Sequence, residues 1–370
     1  MPTATRRSKP APGPKSKTTV RESLTRLAAA IDALRAGRGV RLGKGGTFTL
    51  YAAETLAAAT LKKLEKPALV LSHARAKTLK IRLYTPEIVA LPVKKGRGPG
   101  LDLAQIQAIA DPTADLDHPL KGPFQALRTR LPAAYAAAVK LTKLAGLLPA
   151  AVVVKGAGGR GPLLPLADIL DYETEAAAGL RVVARARVPL EGAEQTELVA
   201  FRAADGAPEN YAIVIGKPAE PVLTRLHSEC FTGDLLGSLK CDCGPQLRGA
   251  IQTIAKAGGG VVLYLAQEGR GIGLINKLRA YRLQDQGFDT IEANERLGFE
   301  ADERVYAVAA RMLALLGFKS IRLLTNNPDK IAALTVAGIA VVERVPHSFP
   351  ANAHNEAYLR TKALKAGHLL

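Results

Sequence analysis

The order of predicted strands and helices changes near residue 180, and this change limits the folds open to the chain. Three predicted strands follow one another there, at residues 180–188, 197–202 and 211–215. After Val222, strands and helices alternate, which is typical of an α/β arrangement. Because 370 residues exceed one ordinary hydrophobic core, we expect two domains. The sequence therefore predicts an α/β (α+β) fold whose domains meet between residues 175 and 190.

The beginning of the chain differs in composition from the rest. Residues 1–19 contain five basic side chains but no apolar segment, so we interpret them as a disordered basic tail and not as a secretory signal. Thr19 and Glu22 have the spacing of a helix capping box. Further along, the sequence predicts helices at residues 52–61 and 302–316.

The strongly basic composition favours anionic partners. The formal net charge of +18 attracts polyanions, and nucleic acid, a membrane surface and a nucleoside triphosphate are all open on charge alone. Aromatic residues make up only 5% and Trp is absent, which disfavours a stacking platform for single strands. No apolar run reaches the roughly 18 residues that a membrane span needs. We therefore expect neither a membrane nor a nucleic-acid partner.

The chain has three cysteines, and all of them lie in one short segment, at Cys230, Cys241 and Cys243. An odd number disfavours a disulfide framework and favours a reducing, cytoplasmic compartment. Thiolates suit zinc, and three protein ligands with an open position are typical of a catalytic site. His227 could be a fourth ligand, but it is too near Cys230 in sequence for easy tetrahedral closure. The alternative is three buried free cysteines, which the polar, glycine-containing turns around them disfavour.

A glycine-rich loop follows the buried strand predicted at residues 261–265. Its residues 267–273 could cradle phosphate on exposed N–H groups, although a packing turn explains them as well, and they match neither the Rossmann nor the Walker pattern. Arg270 is suited to bidentate phosphate contacts. Guanine presents N–H donors on its Watson–Crick edge, and Glu229 or Glu268 could accept them.

Two predicted helix starts carry charged residues. Asp302 and Arg304 open the helix predicted at residues 302–316, where acids near the N-terminus are also ordinary helix-start electrostatics. Thr325 and Lys330 flank a second helix start, which is a further candidate anion site.

Six motifs of the second half recur in the order and spacing of one enzyme family. They are RLHSEC at 225–230, CDCG at 241–244, QEGRGIGL at 267–274, AY at 280–281 with QDQG at 284–287, ADER at 301–304, and LTNNP at 324–328. These motifs closely resemble GTP cyclohydrolase II, and the match extends from about Val222 to Leu370. One departure is Ala266, where the family commonly has Arg, and this change could weaken phosphate binding.

The resemblance implies a role for each matching residue. Zinc would be held by Cys230, Cys241 and Cys243. GTP would be contacted by Arg225, Leu226, His227, Ser228, Glu229, Gln246, Glu268, Gly269, Arg270, Thr290, Thr325 and Lys330. Asp302 would accept a proton, Arg304 would be the nucleophile toward the α-phosphate, and Tyr281 would position or protonate the ring.

The resemblance also implies a reaction. GTP would be hydrolysed to 2,5-diamino-6-hydroxy-4-(5-phosphoribosylamino)pyrimidine, with release of formate and pyrophosphate, as the first step of riboflavin biosynthesis. A water activated by one zinc ion per chain would open the imidazole ring at C8. Mg²⁺ would accompany the triphosphate. A cytoplasmic homodimer is expected from the family.

The first half resembles a second family only in scattered pieces. Residues 33–38, 109–112 and 143–147 resemble 3,4-dihydroxy-2-butanone 4-phosphate synthase, which is often fused ahead of GTP cyclohydrolase II. The acidic metal-binding loop of that family is replaced by glycines and a lysine at residues 43–46, and its metal-binding histidine aligns with Ala134. No carboxylate remains in that loop to hold Mg²⁺.

These resemblances predict three parts of the chain: a tail at 1–19, a degenerate synthase-like α/β domain at 20–180, and a GTP cyclohydrolase II domain with a mixed sheet at 181–370. Two alternatives stay open. One is a bifunctional riboflavin enzyme in which both domains are active. The other is a basic zinc-binding protein that binds nucleic acid, which the charge favours and the lack of a fourth zinc ligand disfavours.

Overall fold

The computed structural model describes most of the chain, at residues 17–93, 101–156 and 160–350. Most of the predicted tail, residues 1–16, and the end of the family match, residues 351–370, therefore lie outside the described residues. Helix α1 begins at Lys17, so the prediction that the tail extends to residue 19 is wrong. Thr19 lies inside this helix and not at its N-cap.

The first half folds around a six-stranded sheet in the order β4-β3-β5-β2-β1-β6. Only β1 and β6 pair in parallel; the other neighbours are antiparallel. Its strands are β1 (Val40–Leu42), β2 (Phe48–Ala52), β3 (Ala68–Ser72), β4 (Ile88–Pro92), β5 (Ala150–Lys155) and β6 (Leu163–Leu164). Its helices are α1 (Lys17–Arg35), α2 (Ala58–Lys63), α3 (His73–Thr78), α4 (Leu103–Ala110), α5 (Ala133–Leu144), α6 (Leu166–Leu170) and α7 (Tyr172–Ala178).

The second half folds around a seven-stranded sheet in the order β13-β12-β10-β11-β9-β8-β7. Strands β13, β12, β10 and β11 are parallel, and β11, β9, β8 and β7 are antiparallel, so the predicted mixed sheet is confirmed. The strands are β7 (Arg181–Arg187), β8 (Thr196–Arg202), β9 (Asn210–Gly216), β10 (Val222–Ser228), β11 (Gly259–Leu265), β12 (Ser320–Leu324) and β13 (Ala340–Val345). The helices are α8 (Cys243–Lys256), α9 (Leu274–Asp285), α10 (Thr290–Leu297), α11 (Ala307–Leu315) and α12 (Pro328–Val336).

Two predicted helices start later than expected. The helix predicted from residue 52 begins at Ala58, because β2 extends through Ala52 and the N–H of Ala53 still donates to Ala150 at 3.0 Å. The helix predicted from residue 302 begins at Ala307. The segment before it is hydrogen-bonded to the glycine-rich loop instead.

Among the described residues, no helix is long and apolar enough to cross a membrane.

The first sheet shares a hydrophobic core cluster with helices of the second half. The chain leaves the first sheet at Leu164 and enters the second at Arg181. Buried side chains of the first sheet, such as Leu71 and Val152, nevertheless belong to the same cluster as Ala280 and Leu283 of α9. The halves are therefore packed against each other along α9 and α10 rather than joined only by a linker.

Candidate active site

The candidate site lies where three parallel strands end. Cys230 follows β10, the glycine-rich loop follows β11, and Thr325 follows β12. Because these strands are parallel neighbours, their carboxyl ends meet at one edge of the sheet. Ligands of open α/β sheets bind at this edge, outside the strand ends. The fold thus gathers motifs that are about 100 residues apart in sequence.

The three cysteines form one cluster, with their sulfur atoms all within 4.8 Å of one another. The Sγ atoms of Cys230 and Cys241 are 3.7 Å apart. The turn Phe231–Leu235 wraps around them, and a Cβ added at Gly233 would lie 2.7 Å from the Cys241 Sγ. Three soft ligand atoms in a cradle that excludes even a methyl group fit zinc.

His227 does not take part in this cluster. Its Nε2 lies 3.0 Å from the carboxylate of Asp234, which also accepts hydrogen bonds from the Cys230 N–H and the Tyr264 hydroxyl. Burial lowers the pKa of His227. His227 therefore supports the turn that carries Cys230, and the expectation that it is not the fourth ligand agrees with this geometry.

Lys277 is a buried residue of the site that sequence reasoning missed. Its Nζ donates to the Cys230 Sγ at 3.0 Å, to the Thr232 Oγ1 at 2.9 Å and to the Glu268 Oε1 at 2.8 Å. Burial opposes its charge, but the hydrogen bonds to Glu268 and Cys230 raise the pKa of Lys277 above its usual value. Its spacing of four residues from Tyr281 on α9 was a signal in the sequence, because such residues share a helix face.

The Cys230 thiol and the Lys277 ammonium group stabilise each other's charged forms. Hydrogen bonds from Cys241 and Cys243, and then from Lys277, hold the pKa of Cys230 well below its usual range. The same sharing of protons raises the pKa of Cys241 to about 11. Of the three cysteines, Cys230 is therefore the one at which the thiolate form is favoured.

The two carboxylates proposed for base recognition differ in their partners. Glu268 accepts from Lys277 and, at 2.6 Å, from the Phe231 N–H, so both of its oxygens are engaged. The Glu229 carboxylate lines the same cavity with no hydrogen bond to another described side chain. Burial, followed by the nearby charge of Glu268, raises the pKa of Glu229. Glu229 is therefore the carboxylate that is free to receive a ligand.

Two buried basic residues, Arg225 and Lys330, line the same cavity as these carboxylates. The guanidinium of Arg225 donates to the Leu324 carbonyl at 2.8 Å and to Gln246, and its buried Nε has no protein partner among the described residues. Burial lowers the pKa of Arg225 to about 10, which still leaves it charged at neutral pH. Lys330, also buried, donates to the Leu226 carbonyl at 3.0 Å. A buried cation with an unpaired N–H is suited to an anion.

Asp302 and Arg304 lie in an irregular segment before α11, not on a helix. The Arg304 Nε is 2.8 Å from the Asp302 Oδ1, and the Arg304 N–H donates to the same oxygen at 3.0 Å. On a regular helix, side chains two residues apart point about 200° away from each other, so this contact requires a segment that is not helical. Partial burial opposes ionisation of Asp302, but the hydrogen bonds from Arg304 outweigh it and lower the pKa of Asp302.

One cavity brings nearly all the predicted residues together. Asp302 is the exception and reaches the cavity through its ion pair with Arg304. Ala266, where the family commonly has Arg, lies in the cleft between the two halves and is not among the residues that line this cavity. The predicted residues that line the cavity are Arg225, Leu226, His227, Ser228, Glu229, Cys230, Cys241, Cys243, Gln246, Glu268, Gly269, Arg270, Tyr281, Thr290, Arg304, Thr325 and Lys330.

Three clustered thiols beside a cavity with buried cations could hold a soft metal next to an anionic ligand, as in an α/β enzyme with its site at the strand ends. The sequence model of one family, GTP cyclohydrolase II, matches residues 181–346. A GTP cyclohydrolase-2 from Azospirillum brasilense is 49% identical over 357 residues, which cover 91% of this chain and 92% of that protein. The chain belongs to the GTP cyclohydrolase II family.

Other relatives match a smaller part of the chain. A GTP cyclohydrolase-2 from Histophilus somni is 54% identical over 52% of this chain and 89% of its own length. A riboflavin biosynthesis protein RibBA from Synechocystis is 48% identical over 63% of this chain, and the match spans 46% of that protein. A two-domain 3,4-dihydroxy-2-butanone 4-phosphate synthase from A. baumannii has a TM-score of 0.30 and 17% identity, which is too distant to inform the fold.

Proposed function

We propose that this chain hydrolyses GTP to 2,5-diamino-6-hydroxy-4-(5-phosphoribosylamino)pyrimidine, releasing formate and pyrophosphate, in the first step of riboflavin biosynthesis. The observation that carries the proposal is the cluster of Cys230, Cys241 and Cys243 in the wall of a cavity that also holds Arg225 and Lys330. A soft metal site and a phosphate site within one cavity suit a substrate with both a purine ring and a triphosphate. Family membership supports the same reaction.

The metal would be held by the three thiolates, leaving a fourth position toward the cavity. Zinc, when bound, supplies a nucleophile near neutral pH by lowering the pKa of water from about 15.7 toward 7. Lys277 donates to the Cys230 sulfur and so offsets part of the negative charge of three thiolates. Mg²⁺ would arrive with the triphosphate and neutralise its β and γ charges.

Guanine would be held by Glu229. Its carboxylate faces the cavity next to Cys230, and two carboxylate oxygens match the adjacent N1–H and exocyclic N–H donors of guanine. Adenine lacks the N1–H donor, so this contact also selects the base.

The triphosphate would lie along the basic side of the cavity. Arg225 offers its unpaired Nε, and Thr325 precedes the N-terminus of α12, where the helix dipole favours an anion. Arg270 extends from the glycine-rich loop into the same cavity. These groups bind and orient the phosphates without taking part in bond breaking.

Arg304 and Asp302 would act at the α-phosphate. Arginine is a poor nucleophile at its usual pKa of about 12.5 or above, so attack requires a base in contact with it. Asp302 is in direct contact with the Arg304 Nε and is held ionised, so it can accept that proton. If Arg304 acts only as a clamp, the same ion pair fixes the guanidinium against the phosphate.

Tyr281 would hold or donate a proton near the opening ring. Its hydroxyl is 3.4 Å from the Thr232 Oγ1, and burial raises its pKa, so the phenol stays protonated at neutral pH. A protonated phenol beside the metal cluster can donate to a ring nitrogen as the C8 bond breaks.

The first half would lack synthase chemistry of its own. Its turn at residues 43–46 presents glycines and Lys44 where the related synthases carry acids, and Ala134 is buried in the core. A homodimer in the cytoplasm is proposed from the family alone.

The proposal is tested by incubating the full chain with GTP, zinc and Mg²⁺ and assaying formate, pyrophosphate and the pyrimidine product. Parallel reactions contain ribulose 5-phosphate, or labelled RNA and DNA at several salt concentrations. Formate from GTP, with neither butanone phosphate nor a salt-dependent nucleic-acid shift, is the expected result. A salt-dependent shift without GTP turnover would instead favour the nucleic-acid-binding alternative.

A further inference from the structure

Helices α9 and α10 each present one face to the cavity and another to the first half of the chain. Lys277 and Tyr281 of α9 and Asn294 of α10 line the cavity. The buried residues Leu283, Ala293 and Leu297 join the core cluster of the first sheet, and Ala280 belongs both to that cluster and to the cavity wall. The first half therefore forms part of the support on which these cavity residues are held.

Polar contacts fix the same helices at defined points. The side chain of Asn276, which is 0% exposed, donates to the Gly146 carbonyl at 3.1 Å. Three residues later on α9, Arg279 donates to the Glu54 carboxylate at 2.7 Å. A buried amide and an ion pair specify the position of α9 more narrowly than apolar packing does.

A third contact reaches the segment that carries the proposed catalytic pair. The Lys143 Nζ of α5 is 2.5 Å from the Glu303 Oε1, and each side chain is about one-fifth exposed. Glu303 stands between Asp302 and Arg304, and its N–H donates to the Arg270 carbonyl at 3.0 Å. The same Oε1 accepts from the Glu300 N–H at 2.8 Å.

The contacts of the neighbouring residues explain why this ion pair matters. Glu303 contacts Lys143 of the first half, whereas Asp302 and Arg304 pair with each other and Arg304 lies in the cavity wall. No helix or sheet holds residues 301–306, so side-chain anchors of this kind set their position.

We propose that the first half of the chain is a positioning unit for the GTP site, and that Lys143 is the positioning residue that holds the segment 302–304 through Glu303. The kinetic part of this inference rests on the proposed function. It gives the first half a role that requires no active site of its own.

The test compares two lysines of the same helix. Lys143→Met removes the contact to Glu303, whereas Lys140→Met removes an ion pair to Glu173 that stays within the first half. We expect Lys143→Met to lower kcat for GTP by about 10- to 100-fold with little change in KM, because a small displacement of a reacting group has that effect. Lys140→Met should leave both constants unchanged, and Lys143→Arg, which keeps the charge, should retain most of kcat.

Hydrogen–deuterium exchange gives a readout that does not need turnover. Faster exchange at residues 300–306 in Lys143→Met, but not in Lys140→Met, supports the inference even if GTP is not the substrate. Equal exchange and equal kcat in the two variants would overturn it. Restored kcat in the charge-reversed pair Lys143→Glu with Glu303→Lys would support the contact itself, and no restoration while both single variants stay folded would count against it.

Discussion

The two halves of this chain both bury their central strands but differ in the residues that follow the strand ends. In the first half, β1 leads into the turn at residues 43–46, which carries three glycines with positive φ, and the first turn of α5 contains the buried Ala134. In the second half, Cys230 follows β10, Glu268 follows β11 and Thr325 follows β12. The comparison teaches that the buried core of a sheet and the reactive groups beyond its strand ends are set by different residues.

The largest expected effect is the loss of the metal. Cys241→Ser should lose zinc and ring opening together and lower formate release by about 10³-fold or more, because water then returns toward its ordinary pKa of about 15.7. Metal analysis of the purified variant and wild type, alongside the formate assay, measures both. Active wild-type protein without zinc or a substitute metal would show that the cluster is not the site.

Arg304 is the next most sensitive position. If it is the nucleophile, Arg304→Lys should lower kcat by about 10³- to 10⁵-fold, the range that arginines contribute to phosphoryl transfer, with normal zinc content. If it only clamps the phosphate, KM should rise more than kcat falls. Steady-state kinetics distinguishes the two roles, and near-wild-type kcat would leave Arg304 as a binding residue.

A smaller effect is expected at Lys277. Lys277→Met removes the donor to the Cys230 sulfur, and we expect zinc affinity to fall by about 10- to 100-fold, as for other partners of metal ligands. Competition with a chromophoric chelator measures the affinity. Lys277→Arg retains the charge and serves as the control, and unchanged affinity in Lys277→Met would mean that the ammonium serves only Glu268.

The smallest expected signal concerns the first half. With ribulose 5-phosphate as substrate, the full chain should form no butanone phosphate, because neither the turn at residues 43–46 nor Ala134 offers a metal ligand. Detectable butanone phosphate that disappears when residues 1–180 are removed would show that the first half is an active synthase.

The sequence was most informative where one residue type has few alternatives. The three cysteines could be placed together because thiols so close in sequence seldom serve separate purposes. The buried strand predicted at residues 261–265 matches β11 within two residues, because a continuous apolar run has few other solutions.

The misses arose where tertiary contacts outweigh local preference. Asp302 and Arg304 are residue types typical of a helix start, but the Val305 N–H bonds to Gln267 and the helix begins only at Ala307. Lys277 resembles an ordinary surface lysine until α9 is packed against Cys230. The packing of the two halves against each other could not be predicted either, because Ala280 and Leu283 are of residue types common in any amphipathic helix.

The most direct test of this account is a zinc titration of metal-free protein with saturating GTP and Mg²⁺. Formate should be absent without zinc, rise in proportion to added zinc, and level off at one zinc per chain, with pyrimidine product equal to formate. Formate release at the full rate in metal-free protein, or none at any zinc concentration, would contradict the assignment of Cys230, Cys241 and Cys243 as the catalytic metal site.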